Sequence, residues 1–207
     1  MYDRDVLENA ASSRAEGEAA PVGHDLWEDI AEVLIPEDQL QKRIQELGET
    51  ITEDYRGRDL VVVGILKGAA LFTADLFRWI RVPASLDFMR IVSYAGTRTT
   101  GVHRVLLDLE YELDGRDVLV VEDIVDTGLT LRFLRDYLLP RNPASLRVAA
   151  LLDKPSRRQV DVPIDYRGFE IPDRFVVGMG LDFNEKYRNL RAICVLRPEV
   201  YAAAGQE

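Results

Sequence analysis

The chain reads as an α/β protein built on a twisted, mainly parallel sheet with helices on both faces. Three observations predict this. Near-continuous runs of Val, Leu and Ile, such as "LVVVGIL", "VLVV" and "LRVAALL", are too apolar for strands with one wet face. Segments with apolar residues at helical spacing lie between them, so strand and helix alternate. At 207 residues, 47% hydrophobic and 30% charged, the chain can bury one sizeable core, and no internal repeat or domain break interrupts it.

Residues 1–23 mix Ala, Glu, Ser and Gly without period and are expected to form a disordered acidic extension, with residues 24–207 a single domain. From Pro36, which suits a first helical turn, Leu40, Ile44, Leu47 and Ile51 fall at helical spacing. Gly57 and Asp59 end that helix and introduce the strand "LVVVGIL", after which "GAALFTADLFRWI" is helical. "SLDFMRIVSY" and "VHRVLLDL" read as strands flanking the polar segment "AGTRTTG". A strand at "VLVV" and a helix at "LRFLRDYLL" follow, then the strands "LRVAALL", "FVVGMG" and "AICVL". In parallel sheets ligands bind beyond the carboxyl ends of the strands. Four polar pairs are expected there: Lys67-Gly68, Glu122-Asp123, Asp153-Lys154 and Leu181-Asp182.

Charge and composition exclude several classes. The net charge is −10, but residues 1–32 hold nine acids and two arginines. The acidity is therefore mostly a property of the N-terminal region, and it argues against general nucleic-acid binding. No run approaches the roughly 18 apolar residues of a membrane span, and the polar, acidic start is unlike a secretory signal. Cys194, the single cysteine, excludes an internal disulfide and sits in the apolar "AICVL" as a buried thiol. A cytoplasmic location is expected. A Walker A loop is excluded because the chain has no Gly-Lys pair, and "GMGLDF" lacks the third glycine of a dinucleotide fingerprint.

The stretch "VLVVEDIVDTGLT", residues 118–130, poses the functional question. An apolar strand delivers Glu122, Asp123 and Asp126, and then Thr127-Gly128-Leu129-Thr130 opens a helix. A turn at a helix N-terminus favours anions, because free N–H groups and the helix dipole point at them. Three carboxylates beside an anion site need a reason. Asp126 and Thr127 could also serve as ordinary helix caps.

This stretch resembles the phosphoribosyl pyrophosphate signature of type I phosphoribosyltransferases. "GILKGAALFTADL", "SYAGTRTTG", "LLDKPSRR" and "PDRFVVGMGLDFNEKYRNL" occur around it in the expected order. Jointly the motifs are similar to those of hypoxanthine and hypoxanthine-guanine phosphoribosyltransferases, over about residues 25–200. The resemblance implies the type I phosphoribosyltransferase fold, with a small hood and a mobile lid loop. It also implies Mg²⁺-dependent purine salvage: phosphoribose passes from phosphoribosyl pyrophosphate to hypoxanthine, and guanine, giving IMP or GMP and pyrophosphate. Partners would be these small molecules and further copies of the chain in a homodimer or homotetramer, with no nucleic acid and no membrane.

The resemblance assigns roles residue by residue. Asp126, Thr127, Gly128, Leu129 and Thr130 would hold the 5′-phosphate, while Glu122 and Asp123 face the ribose hydroxyls and Mg²⁺. The acids then meet hydroxyls and metal, and the phosphate meets amides, which resolves the paradox. Asp126 would be the general base at the purine's imidazole ring. Lys67, Gly68 and Arg188 would bind pyrophosphate, with the Leu66–Lys67 peptide cis. Ile124, Lys154, Phe175, Val176 and Asp182 would surround the purine, Lys154 donating to the 6-oxo group, Phe175 stacking, and Asp182 also a metal ligand. Ser93 and Tyr94 would begin the lid. Core packing for Phe175, and surface ion pairs for Asp182 and Arg188, are the alternatives. Leu129 stands where many relatives have a basic residue, and His24 and His103 receive no role. Two other functions compete: transfer to another base such as xanthine, and a regulator that senses phosphoribosyl pyrophosphate without turnover.

Overall fold

Successive valines in "LVVVGIL" point to opposite faces of a strand, and both faces are covered. The computed structural model describes residues 25–94 and 102–202, so the expected extension and the 95–101 segment lie outside the described residues. In chain order, β1 (Ile30–Ile35) precedes α1 (Glu37–Asp54), β2 (Leu60–Leu66), α2 (Ala70–Trp79), β3 (Ala84–Tyr94) and β4 (Val102–Leu107). Then come β5 (Asp117–Val125), α3 (Leu129–Leu138), β6 (Ser145–Asp153), β7 (Tyr166–Glu170), β8 (Val176–Val177), β9 (Ile193–Leu196) and α4 (Pro198–Ala202).

A six-stranded sheet in the order β4-β3-β2-β5-β6-β7 forms the centre, parallel except for the β3–β4 pair. Val62, Leu119 and Val121 face Leu40, Ile44 and Ile51 of α1 and Phe72 and Leu76 of α2. Val61, Val63, Val118, Val120 and Val148 face Leu131, Leu134 and Leu138 of α3 on the other side. This is the three-layer arrangement that the apolar runs predict.

The second sheet corrects part of that reading. "FVVGMG" and "AICVL" do not extend the parallel sheet: β8 and β9 pair antiparallel with each other, and β9 with β1, as a separate three-stranded sheet. It corresponds to the hood that the resemblance implies. Leu181-Asp182 therefore lies beyond β8 of this small sheet, not at the end of a central strand. Neither β1 nor β7 stands out in the sequence. Both are edge strands, and β1 leaves its middle residues exposed. Cys194 is buried in β9, where burial pushes its thiol up to about 11. Among the described residues no helix is long and apolar enough to cross a membrane.

Helices α1 and α2 meet at Gly48, where an added Cβ would come within 2.3 Å of Trp79 Cβ. Thr52 locks the same corner, donating to Gly48 O (2.7 Å) and accepting from Arg81 N (3.0 Å). Gly48→Ala should consequently lower stability by roughly 1–3 kcal/mol through overpacking. Urea titration will read this as a lower midpoint at unchanged slope; an unchanged midpoint would show that the helices separate freely.

Candidate active site

Strand β5 runs further than its apolar core suggests. Its ladder with β6 continues through Glu122 and Ile124 to Val125, which carries the acids inside the sheet. Glu122 is buried at 6% exposure. The chain then turns through Asp126, Thr127 and Gly128, the last at φ 84°, and α3 starts with no side-chain cap. Thr127 Oγ1 accepts a long bond from Leu129 N (3.4 Å), a cap-like contact, while the Asp126 carboxylate faces Arg157. The first intrahelical bond runs from Arg132 N to Gly128 O at 3.0 Å, so the amides before it have no partner within the helix. Gly128 has little freedom, since a Cβ there would meet Val160 O at 2.8 Å.

A cavity of about 330 Å³ opens over this turn, lined by Glu122, Asp123, Asp126, Thr127, Gly128 and Thr130. Ile124 and, from the end of β2, Gly68 also line it. The Leu66–Lys67 peptide is cis, as the resemblance implies. Gly68 packs so closely on Asp123 that a Cβ would stand 1.7 Å from Asp123 Oδ2, and a Cβ on Gly180 would stand 2.0 Å from Gly68 O. The hood loop is thereby pressed onto the sheet. Arg188 fastens it, donating to Gly180 O (2.7 Å) and pairing with Asp182 Oδ1 (2.9 Å). Asp182 also accepts from Glu185 N, and Lys67 Nζ reaches Glu185 Oε2 at 2.9 Å.

The remaining predicted residues are not among those that line the cavity. Lys154 is buried at 6% exposure and donates to Arg174 O at 2.6 Å. Phe175 is 43% exposed and meets Phe183 edge-on at 5.7 Å, so it is no core aromatic. Val176 is buried in β8, and Leu129 is exposed at the start of α3. Ser93 and Tyr94 belong to β3, at its junction with the 95–101 segment. Among the described residues no three His, Cys, Asp or Glu side chains are grouped to hold a metal ion, and Asp182, paired with Arg188, acts on Asp123 through its charge.

Two arginines of "LLDKPSRR" belong to the site although no role is expected of them from the sequence. Arg157 Nε lies 2.8 Å from Asp126 Oδ1, an oxygen that no donor meets in good hydrogen-bonding alignment. Arg158 donates to Asp126 O (2.8 Å) and pairs with Asp153, whose carboxylate is 1% exposed and also held by Arg167 at 2.9 Å. The legible signal was a double arginine following a strand that ends in an acid.

Comparison with known proteins gives a consistent answer. Residues 36–184 match the phosphoribosyl transferase domain family. A hypoxanthine-guanine phosphoribosyltransferase of Mycobacterium tuberculosis is 51% identical over 180 residues, covering 84% of this chain and 89% of the relative. The bifunctional protein TilS/HprT of Listeria monocytogenes is 47% identical over 175 residues, and the match spans 27% of that longer protein. The crystal structure of a Staphylococcus aureus hypoxanthine phosphoribosyltransferase superposes with a TM-score of 0.83 at 46% identity, covering 87% of this chain and 98% of that one.

Two adjacent carboxylates at a strand end carry an electrostatic cost. Burial, then the charge of Asp123, pushes the Glu122 carboxyl well above its usual range. Burial pushes Asp123 up from 3.8 to about 6, against the pull of the Ile124 N–H and of Arg188. Raised carboxyls weigh against the fold only when ionised. That cost is absent below the ordinary carboxyl range, sets in as pH rises past it, and is complete above the raised values. Glu122→Gln combined with Asp123→Asn should therefore gain melting temperature over wild type at about pH 7, the gain shrinking towards about pH 4. The measurement is calorimetry in chelator; an equal gain at both pH values would remove ionisation as its cause.

Proposed function

The chain belongs to the phosphoribosyl transferase family, and on that premise we propose that it is a purine salvage enzyme, transferring phosphoribose from phosphoribosyl pyrophosphate to hypoxanthine and guanine. The observation that carries this reading is the single cavity shared by Glu122, Asp123, Gly68 and the Asp126–Thr130 turn. It offers carboxylates where a ribose has hydroxyls and helix-start amides where a sugar carries phosphate. The reading also entails a cytoplasmic enzyme that works as a homo-oligomer.

In this mechanism the bond from the anomeric carbon to pyrophosphate breaks as the bond to the purine nitrogen forms. Positive charge grows on the sugar and negative charge on the leaving group, so positioning and electrostatics do the work. Asp126 accepts the proton from the purine's imidazole ring, and its carboxylate also lies near the developing sugar cation. Lys154 leaves the Arg174 carbonyl to donate to the 6-oxo group, Phe175 stacks on the base, and the Val176 backbone meets its edge. Lys67, the Gly68 backbone and Arg188 take the pyrophosphate. The lid that begins at Ser93 and Tyr94 excludes water, which would otherwise compete for the sugar.

The residues fit Mg²⁺. Glu122 and Asp123 are hard oxygen donors buried side by side, and this ion is commonly held by one or two carboxylates plus substrate oxygens. Asp182 is the third candidate, released from Arg188 when that arginine turns to pyrophosphate. Bound there, the ion would neutralise charge on the leaving pyrophosphate.

Purified protein with Mg²⁺ and phosphoribosyl pyrophosphate should convert hypoxanthine and guanine to their nucleotides. Asp126→Asn should lower turnover by roughly 10²–10⁴ and leave phosphoribosyl pyrophosphate affinity nearly unchanged. Near-normal turnover would remove Asp126 as the base, and no turnover of any purine by wild type would remove the function. Adenine should react very poorly, because Lys154 has three donors and no acceptor to offer a 6-amino group. Lys154→Ala should raise the KM for hypoxanthine and narrow its advantage over adenine; full discrimination by the variant would show that another group reads the base.

A further inference from the structure

His103 is the one histidine among the described residues, and the mechanism above does not use it. It lies on β4, in register with Ser93 of β3, and its Nε2 is 3.4 Å from Thr130 Oγ1. The ring is held in place. It stacks on Phe133 with centroids 5.1 Å apart and planes 16° from parallel, and Phe133 stacks in turn on Tyr137. Arg141 lies over the Tyr137 ring at 4.7 Å, while the Tyr137 hydroxyl and Arg141 both donate to Asp108. An anchored aromatic column thus runs along α3 and ends in an imidazole beside the turn.

Stacking alone does not call for a histidine. Phenylalanine would continue the column equally well, and only histidine brings a ring nitrogen to the Thr130 hydroxyl. The charge around the turn gives that nitrogen a purpose. Among the described residues lining the cavity none is Lys, Arg or His. Leu129, at the first position of α3, is apolar and exposed. A phosphate seated on the turn would meet amides and hydroxyls but no cationic side chain from the cavity wall, and an imidazole N–H can donate to it.

We propose that His103 is a further binding residue for the 5′-phosphate of the phosphoribosyl substrate, donating from Nε2 to a phosphate oxygen that Thr130 also contacts. The proposal rests on the family reading of the Asp126–Thr130 turn. It makes the edge strand β4 part of the phosphate site, opposite the helix start.

The test compares H103F, which keeps the stack and loses the nitrogen, with H103Q, whose amide can restore a donor near the Nε2 position. Calorimetry with ribose 5-phosphate, phosphoribosyl pyrophosphate and inorganic pyrophosphate separates the subsites. H103F should weaken both phosphoribosyl ligands roughly tenfold, the scale of one hydrogen bond to a charged group. Pyrophosphate affinity and the KM for hypoxanthine should not move, and kcat at saturation should stay within about twofold. H103Q should recover most of the loss. Unaltered affinity in H103F, an equal loss for pyrophosphate, or no recovery in H103Q would overturn the proposal. Wild-type protein without affinity for ribose 5-phosphate would overturn the function and the proposal together, which distinguishes the two failures.

Discussion

The contact between Gly68 and the Asp123 carboxylate admits no side chain, and the rest of the site is arranged around it. It fixes how closely the ends of β2 and β5 approach. Gly180, set against the Gly68 carbonyl, extends the same close packing to the hood. Two sheets that share no strand are thus brought together through backbone, and the groove between them inherits backbone precision. Larger residues at 68 or 180 would push the carboxylates away from the turn, and the hood away from both. The glycines here act as spacers of zero width.

Buried acids receive two opposite treatments in this protein. Asp153, at the end of β6, is enclosed by Arg158 and Arg167 and so has its charge matched. Glu122 and Asp123, at the end of the neighbouring β5, have each other and the more distant Arg188. A matched pair holds structure together, whereas an unmatched pair waits for something positive. The contrast separates the structural strand end from the functional one, although both read as apolar runs ending in acid. Arg158 connects them, since it also binds the Asp126 carbonyl.

Much of this was legible in the sequence. Central strands and the three long helices follow from apolar runs and helical spacing, because burial on both faces leaves no room for polar residues. The turn at residues 126–130 was legible because its residue types are dictated by backbone geometry, with Gly128 at positive φ. The strand pairing of the hood was not, since β1 is half exposed, β8 is two residues long, and strand partners distant in sequence leave no periodic trace. Leu181-Asp182 was consequently assigned to the wrong sheet. Arg157 and Arg158 stood in a recognised motif, yet their use depends on which way each side chain turns, which adjacent identical residues do not reveal.

Among the described residues, the cations of the site are engaged before any substrate arrives. Lys67 holds Glu185, Lys154 holds the Arg174 carbonyl, Arg157 lies against Asp126, and Arg188 holds Asp182. Ligand binding is then an exchange of partners and not a gain of new ones, and its free energy is a difference between two sets of contacts. Counterions have correspondingly little to do, because few positive charges are bare at the start. Affinity for a highly charged sugar phosphate should depend on ionic strength less steeply than its charge suggests. Discrimination follows from the same exchange: a ligand that draws a cation away must offset the loss to the acid or carbonyl that the cation held. Selectivity in such a pocket comes from what the ligand must release as much as from what it touches.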